Sequence, residues 1–104
     1  MVVRLYSSLP KTTVAQVLGK QFLRSGTSVG AHYREAQRAK STADFINKIE
    51  GALQELEETG YWIELLGDAE VLPSERLQPL TSEVEELTAI LVTIVKSAKN
   101  HRLK

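Results

Sequence analysis

The chain has no cysteine, one methionine, one tryptophan, two histidines and three prolines among its 104 residues, and its formal net charge is zero. Without cysteine there is no disulfide framework, no thiolate metal site and no thiol nucleophile, which is the usage of a reducing compartment, so the cytoplasm is the expected location. The opening MVVRLYSSLP lacks the basic-then-apolar order of an export signal. No stretch approaches the roughly 20 apolar residues needed to cross a bilayer, so no membrane partner is expected. Neither His32 nor His101 has a glutamate three residues before it, the spacing a di-iron helical bundle requires, and two distant histidines do not make a zinc site. No glycine-rich phosphate loop follows a strand. Ser25 or Ser28 with His32 and Glu35 form a nominal Ser–His–acid trio, but neighbours on one straight helix point along a cylinder and do not converge on a substrate. The sequence therefore offers no catalytic, cofactor-binding or metal-ligating residue, and the expectation is a protein that is not an enzyme. At this length it is a single domain, residues 1–104.

What is present is helical periodicity. Apolar residues recur at three and four between few turn signals, which predicts an all-α chain. Breaks are expected at Ser8–Thr12 around Pro10, at Ala39–Thr42, and at Gly67–Pro79 with its two prolines. They leave a short helix at 1–7 and long ones near 13–39, 42–67 and 80–99. Thr12 or Thr13 is placed to cap the second helix and Ser41 or Thr42 the third. The last helix is expected to begin near Pro79, a residue tolerated in a first turn, with room for a separate turn capped by Ser74 before it. Leu77, Leu80, Val84, Leu87, Leu91, Ile94 and Ala98 follow a 3,4,3,4 spacing, the core stripe of an up-and-down four-helix bundle. In the third helix Phe45, Ile49, Ala52, Leu53, Leu56, Gly60 and Ile63 share one face, while Tyr61, Trp62 and Leu65 lie on the far side beside Gln54 and Glu58. A second apolar face needs a second cover: either the short first helix or another copy of the chain.

The second helix carries a basic ridge of Lys20, Arg24, Arg34 and Arg38, extended by Lys40, opposite a core stripe of Val14, Leu18, Phe22, Val29 and Ala36. Gly19, Gly26 and Gly30 fall on one flank. Each glycine inside a helix costs about 1 kcal/mol against alanine, so three aligned glycines imply a neighbour whose backbone approaches closely. Ser25, Ser28 and His32, on the other flank with Gln21, suit hydrogen bonds across a helix interface. The zero net charge is a sum of unlike parts: residues 1–48 balance at +6, residues 49–88 at −10, and residues 89–104, with Lys96, Lys99, Arg102 and Lys104, at +4. Such blocks suit sequence-independent contact with the RNA or DNA backbone, or simply a solvated face, and the acids Glu50, Glu57, Glu64 and Asp68 suit a protein partner.

The run LGKQFLRSGTSVGAHYREA (18–36), followed by Asp44-Phe45 with Lys48 and by ALQELEETGYWIELL (52–66), resembles the bacterial four-helix-bundle proteins encoded in intervening sequences of 23S ribosomal RNA genes, over about Leu9 to Lys99. The resemblance extends to accessory proteins of diversity-generating retroelements. It implies an up-down bundle that assembles as a homopentamer, and a role beside nucleic acid or as adaptor for a nucleic-acid enzyme. Gln21, Arg24, Ser25, Ser28, Gly30, Arg34 and Glu35 match the family's second-helix motif, and Glu55, Glu58, Tyr61 and Trp62 its third-helix motif. His32 stands where the family usually has Asn, and the first helix is shorter than the family's. Together these readings nominate Lys20, Arg24, Arg34, Arg38, Lys40, Lys96, Lys99 and Arg102 as nucleic-acid contacts. Gln54, Glu55, Glu58, Tyr61, Trp62, Leu65, Ser25, Ser28 and His32 become candidates for the oligomer interface. Arg24 has a second expected role, pairing with Glu58 within or between chains.

Overall fold

The computed structural model describes residues 2–103, with side chains described through His101. It consists of four helices, α1 (Val2–Ser7), α2 (Thr13–Gln37), α3 (Thr42–Asp68) and α4 (Ser74–Leu103), with no strand among the described residues. They form a rod of 52 × 21 × 16 Å. No helix is long and apolar enough to cross a membrane.

Local chemistry sets the boundaries. The Thr12 side chain accepts from the Ala15 N–H and begins α2, and Ser41 does the same for α3 through the Asp44 N–H at 3.0 Å. At the end of α3, the Val71 N–H reaches back to the Leu66 carbonyl at 3.0 Å, and Glu70 holds φ at 57°. This is a Schellman-type stop with a glutamate where glycine is usual. The expected break over Gly67–Pro79 is shorter than the two prolines suggested: α3 runs through Gly67, and α4 starts at Ser74 and continues past Pro79 without a separate turn. Pro79 is the sixth residue of α4, so it removes a bond close to the end where N–H groups are unpaired anyway. Leu77 and Leu80 are 5% and 7% exposed on either side of Pro79, and their burial holds the helix through it.

Consecutive long helices are antiparallel. Ser25 meets Thr59 and Lys48 meets Glu35 across α2 and α3, while Lys99 meets Glu50 across α3 and α4. The core is in two parts. One gathers Leu5, Leu9, Phe22, Ile63, Leu66, Leu72, Leu77 and Leu80; the other gathers Ala36, Ile46, Ile49, Ala52, Leu56, Leu91 and Val95. The 3,4 stripe of α4 is divided between two surroundings. Leu77, Leu80 and Leu91 are buried, whereas Val84, Leu87, Ile94 and Ala98 are only half-buried, and Val95, outside the stripe, is buried instead. The cause is architectural: α4 packs on α3, α1 packs on α2, and among the described residues no Cα of α2 comes within 8 Å of one of α4.

Candidate nucleic-acid and assembly surfaces

The Arg24 guanidinium, on the outward side of α2, is held by two carboxylates of α3, at 3.3 Å from Glu55 Oε2 and in a close contact with Glu58 Oε1. Glu58 also accepts from Trp62 Nε1 at 3.3 Å, and Gln21 accepts from Arg24 Nε. The hydrogen bond from Arg24, then that from Trp62, draws the Glu58 carboxyl below its ordinary range, and the same pairing raises Arg24 further above its own. Arg24 thus leaves the free part of the ridge and clamps α2 to α3. A carboxyl whose folded pKa is depressed adds stability above its unfolded value of 4.5, and that contribution disappears as pH falls through the lower folded value. Thermal melts between pH 7 and pH 3 are expected to show a small acid-side loss in the wild type that Arg24→Ala lacks. Identical pH profiles would show that the clamp contributes nothing.

Ser25 is fully buried between α2 and α3, so it faces no second copy. Its Oγ lies 3.0 Å from Thr59 Oγ1, and each hydroxyl also reaches a carbonyl of its own helix, Phe22 at 3.3 Å and Glu55 at 2.8 Å. Two protons serve three contacts, a buried polar pair that fixes the register of the hairpin. Thr59 was missed in the sequence because a threonine between Leu56 and Ile63 reads as a gap in the apolar stripe. Ser28 donates to the Arg24 carbonyl at 2.8 Å, and half-buried His32 lies against Gly51, where an added Cβ would sit 3.0 Å from its Nδ1. That nitrogen is buried with no hydrogen-bond partner. Of the small-polar flank of α2, Ser25 bonds across to α3, Ser28 bonds its own helix, and His32 packs against α3 with Nδ1 unpartnered among the described residues.

The aromatic pair divides. Trp62 is half-buried against the first core cluster, while Tyr61 is 53% exposed and meets it edge-on at a centroid distance of 5.0 Å. Leu65 is half-buried and Gln54 exposed. No Cα of α1 comes within 8 Å of one of α3, and Tyr61 remains open.

Six cations lie at one end of the rod, while Arg4, Lys11, Lys20 and Arg76 lie towards the other. Because α2 and α4 run in the same direction, their C-terminal halves share one end, which holds Arg34, Arg38, Lys40, Lys96 and Lys99, with Lys48 from the start of α3. Lys48 is held by Glu35 at 3.5 Å and Lys99 by Glu50 at 3.3 Å. Arg34, Arg38, Lys40 and Lys96 are exposed and have no ion pair among the described residues. Cations at helix C-termini also suit the negative end of the helix dipole. Lys20 is exposed towards the other end, where Glu64, Asp68, Glu70 and Glu75 collect, and the Arg102 side chain lies outside the described residues. Among the described residues no three His, Asp or Glu groups are placed to hold a metal ion.

Comparison with known proteins adds two findings. The family model of the 23S rRNA-intervening sequence protein matches residues 1–93. A protein of unknown function from the S23 ribosomal protein family of Bacteroides thetaiotaomicron, of solved structure, is similar at 44% identity and a TM-score of 0.86, over 91% of this chain and 88% of that one. No curated protein matches.

Proposed function

Since the chain belongs to the 23S rRNA-intervening sequence protein family, we propose that it is a non-enzymatic, self-assembling helical protein that holds RNA or DNA by the phosphate backbone at the basic end of the rod. The observation that supports this is that Arg34, Arg38, Lys40 and Lys96 share one end of the rod, exposed and without an ion pair among the described residues. Four cations without a base-reading motif give affinity without sequence preference. In filter binding, random-sequence RNA and duplex DNA are retained at 50 mM salt. About four released counterions make the affinity fall roughly 100-fold by 200 mM. Absent retention, or retention indifferent to salt, refutes the reading.

Self-assembly uses the outward face of α3, where exposed Gln54 and Tyr61 line up with half-buried Leu65. The family resemblance supports five copies. Light scattering is expected to give a mass about five times that of the chain, lowered by Tyr61→Glu; a monomer at all concentrations removes this part of the proposal. Exposed Glu57, Glu64 and Asp68 on α3 favour a second reading, an adaptor that binds a basic protein, such as a nucleic-acid enzyme, and no nucleic acid itself. Pull-downs with and without nuclease separate the two: partners that survive nuclease support the adaptor.

A further inference from the structure

Acids are scarce at the basic end of the rod. The chain carries none after Glu86, and Glu35 is the one acid of α2. Glu35 stands inside the ridge, next to Arg34 and three residues before Arg38, which makes it a neighbour of Arg38 on the helix surface. On α3, Asp44 lies in the first turn, where the helix dipole favours an acid. Glu50 follows it. Glu35 and Glu50 each hold a lysine of the adjacent helix: Lys48 Nζ lies 3.5 Å from Glu35 Oε2, and Lys99 Nζ 3.3 Å from Glu50 Oε2.

These two pairs differ from the Arg24 clamp. There the Glu55 and Glu58 side chains are 19% and 35% exposed, and Glu58 has a second donor in Trp62. The Glu35 and Glu50 side chains are 51% and 49% exposed, each with one lysine and no other side-chain partner among the described residues. Pairs so exposed contribute little to the stability of a fold. What they change is the charge that the surface shows. Towards an approaching phosphate, a lysine with its carboxylate attached counts as roughly zero. Of the six described cations at this end, only four are therefore presented.

We propose that Glu35 and Glu50 guard the basic end: by pairing with Lys48 and Lys99 they withhold two cations from phosphate and keep the affinity of that end for nucleic acid low. The inference rests on the phosphate-binding reading above and adds the side chains that limit the contact. Both withheld lysines are placed to join it. Lys48 pairs with the residue next to Arg34, and Lys99 is three residues from Lys96, its neighbour on α4. A phosphate that approaches Arg34 or Arg38 also comes up against the Glu35 carboxylate itself, and like charges set together cost affinity.

Glutamine keeps the shape of glutamate without its charge, so Glu35→Gln with Glu50→Gln opens both pairs and should barely move the melting temperature. In filter binding at 100 mM salt, this variant is expected to hold random-sequence RNA about tenfold or more tightly than the wild type. The slope of log affinity against log salt should steepen by about two, one for each freed lysine. Adding Lys48→Ala and Lys99→Ala should return both values to those of the wild type. Glu64→Gln with Asp68→Asn makes the same change in net charge at exposed positions towards the other end of the rod, and should alter affinity about twofold or less. The guard is overturned, with the phosphate reading left standing, by any of three results: a retained wild type with no gain in the glutamine variant, a gain that Glu64→Gln with Asp68→Asn matches, or a gain that survives loss of both lysines. If neither the wild type nor the glutamine variant retains RNA at 50 mM salt, the phosphate reading itself fails and the guard with it.

Discussion

Phe22→Ala should lower the stability of the chain by about 3–5 kcal/mol, read as a fall in the urea midpoint at unchanged slope. Phe22 is fully buried, and it belongs to the cluster in which every helix takes part: Leu5 from α1, Ile63 and Leu66 from α3, Leu77 and Leu80 from α4, with Leu9 and Leu72 from the turns. Truncation to alanine removes the transfer free energy of the ring and leaves a cavity. The helices on three sides are tied by the Ser25–Thr59 pair and by the Arg76 side chain, which donates to Ser8 Oγ at 3.0 Å, so they close over it only in part. Small domains have about 5–15 kcal/mol in total, so the variant is left marginal at room temperature. Val14→Ala and Val17→Ala, at positions 53% and 57% exposed on the same helix, should change stability by no more than about 0.5 kcal/mol. A loss near that size for Phe22→Ala would place the core elsewhere.

Reversing Arg34 and Arg38 together to glutamate should abolish nucleic-acid retention, a loss of roughly 100-fold or more at 100 mM salt. The pair supplies half of the four exposed cations gathered without an ion pair at the basic end, and its reversal sets two carboxylates against phosphate. Replacement by alanine is milder and more diagnostic: the slope of log affinity against log salt should fall by about two, one for each lost contact. Both side chains are exposed, so melting temperature is the control and should barely move. Lys20→Ala tests geometry against composition. Lys20 shares the ridge but sits towards the acidic end, and its loss should change affinity about twofold or less. If Lys20 matters as much as Arg34, the contact follows the ridge and not the end of the rod.

Helix number, the caps at Thr12 and Ser41, and the antiparallel order were legible because they follow from periodicity and local hydrogen bonding. The Arg24–Glu58 pair was legible from the family motifs, and a close neighbour on the glycine flank from the glycine spacing, although what fills Gly19 and Gly26 is the side chains of Val2, Tyr6 and Leu9 and not a backbone. The start of α4 was not. Pro79 gives the same local signal at a boundary or just inside one, and burial of Leu77 and Leu80 decides between them. Nor was the left-handed Glu70, since nothing in Asp68-Ala69-Glu70 marks the stop that the following Leu72 enforces by entering the core. The 3,4 stripe of α4 was read as one continuous core face, yet four of its seven residues, Val84, Leu87, Ile94 and Ala98, are only half-buried. Periodicity shows which side of a helix is apolar; what covers that side depends on where the other helices lie. Charge behaved similarly: the blocks along the chain were visible, but their gathering at one end required knowing that α2 and α4 run the same way.

The close backbone packing of α4 on α3, with none on α2, has a kinetic consequence. Detaching α4 breaks its packing on α3, its share of the cluster around Phe22 and the Arg76–Ser8 hydrogen bond, but leaves the α2–α3 hairpin with its Ser25–Thr59 pair and Arg24 clamp intact, so α4 is expected to open before the hairpin does. Amide protons along α4 should therefore exchange with solvent before those in the facing halves of α2 and α3.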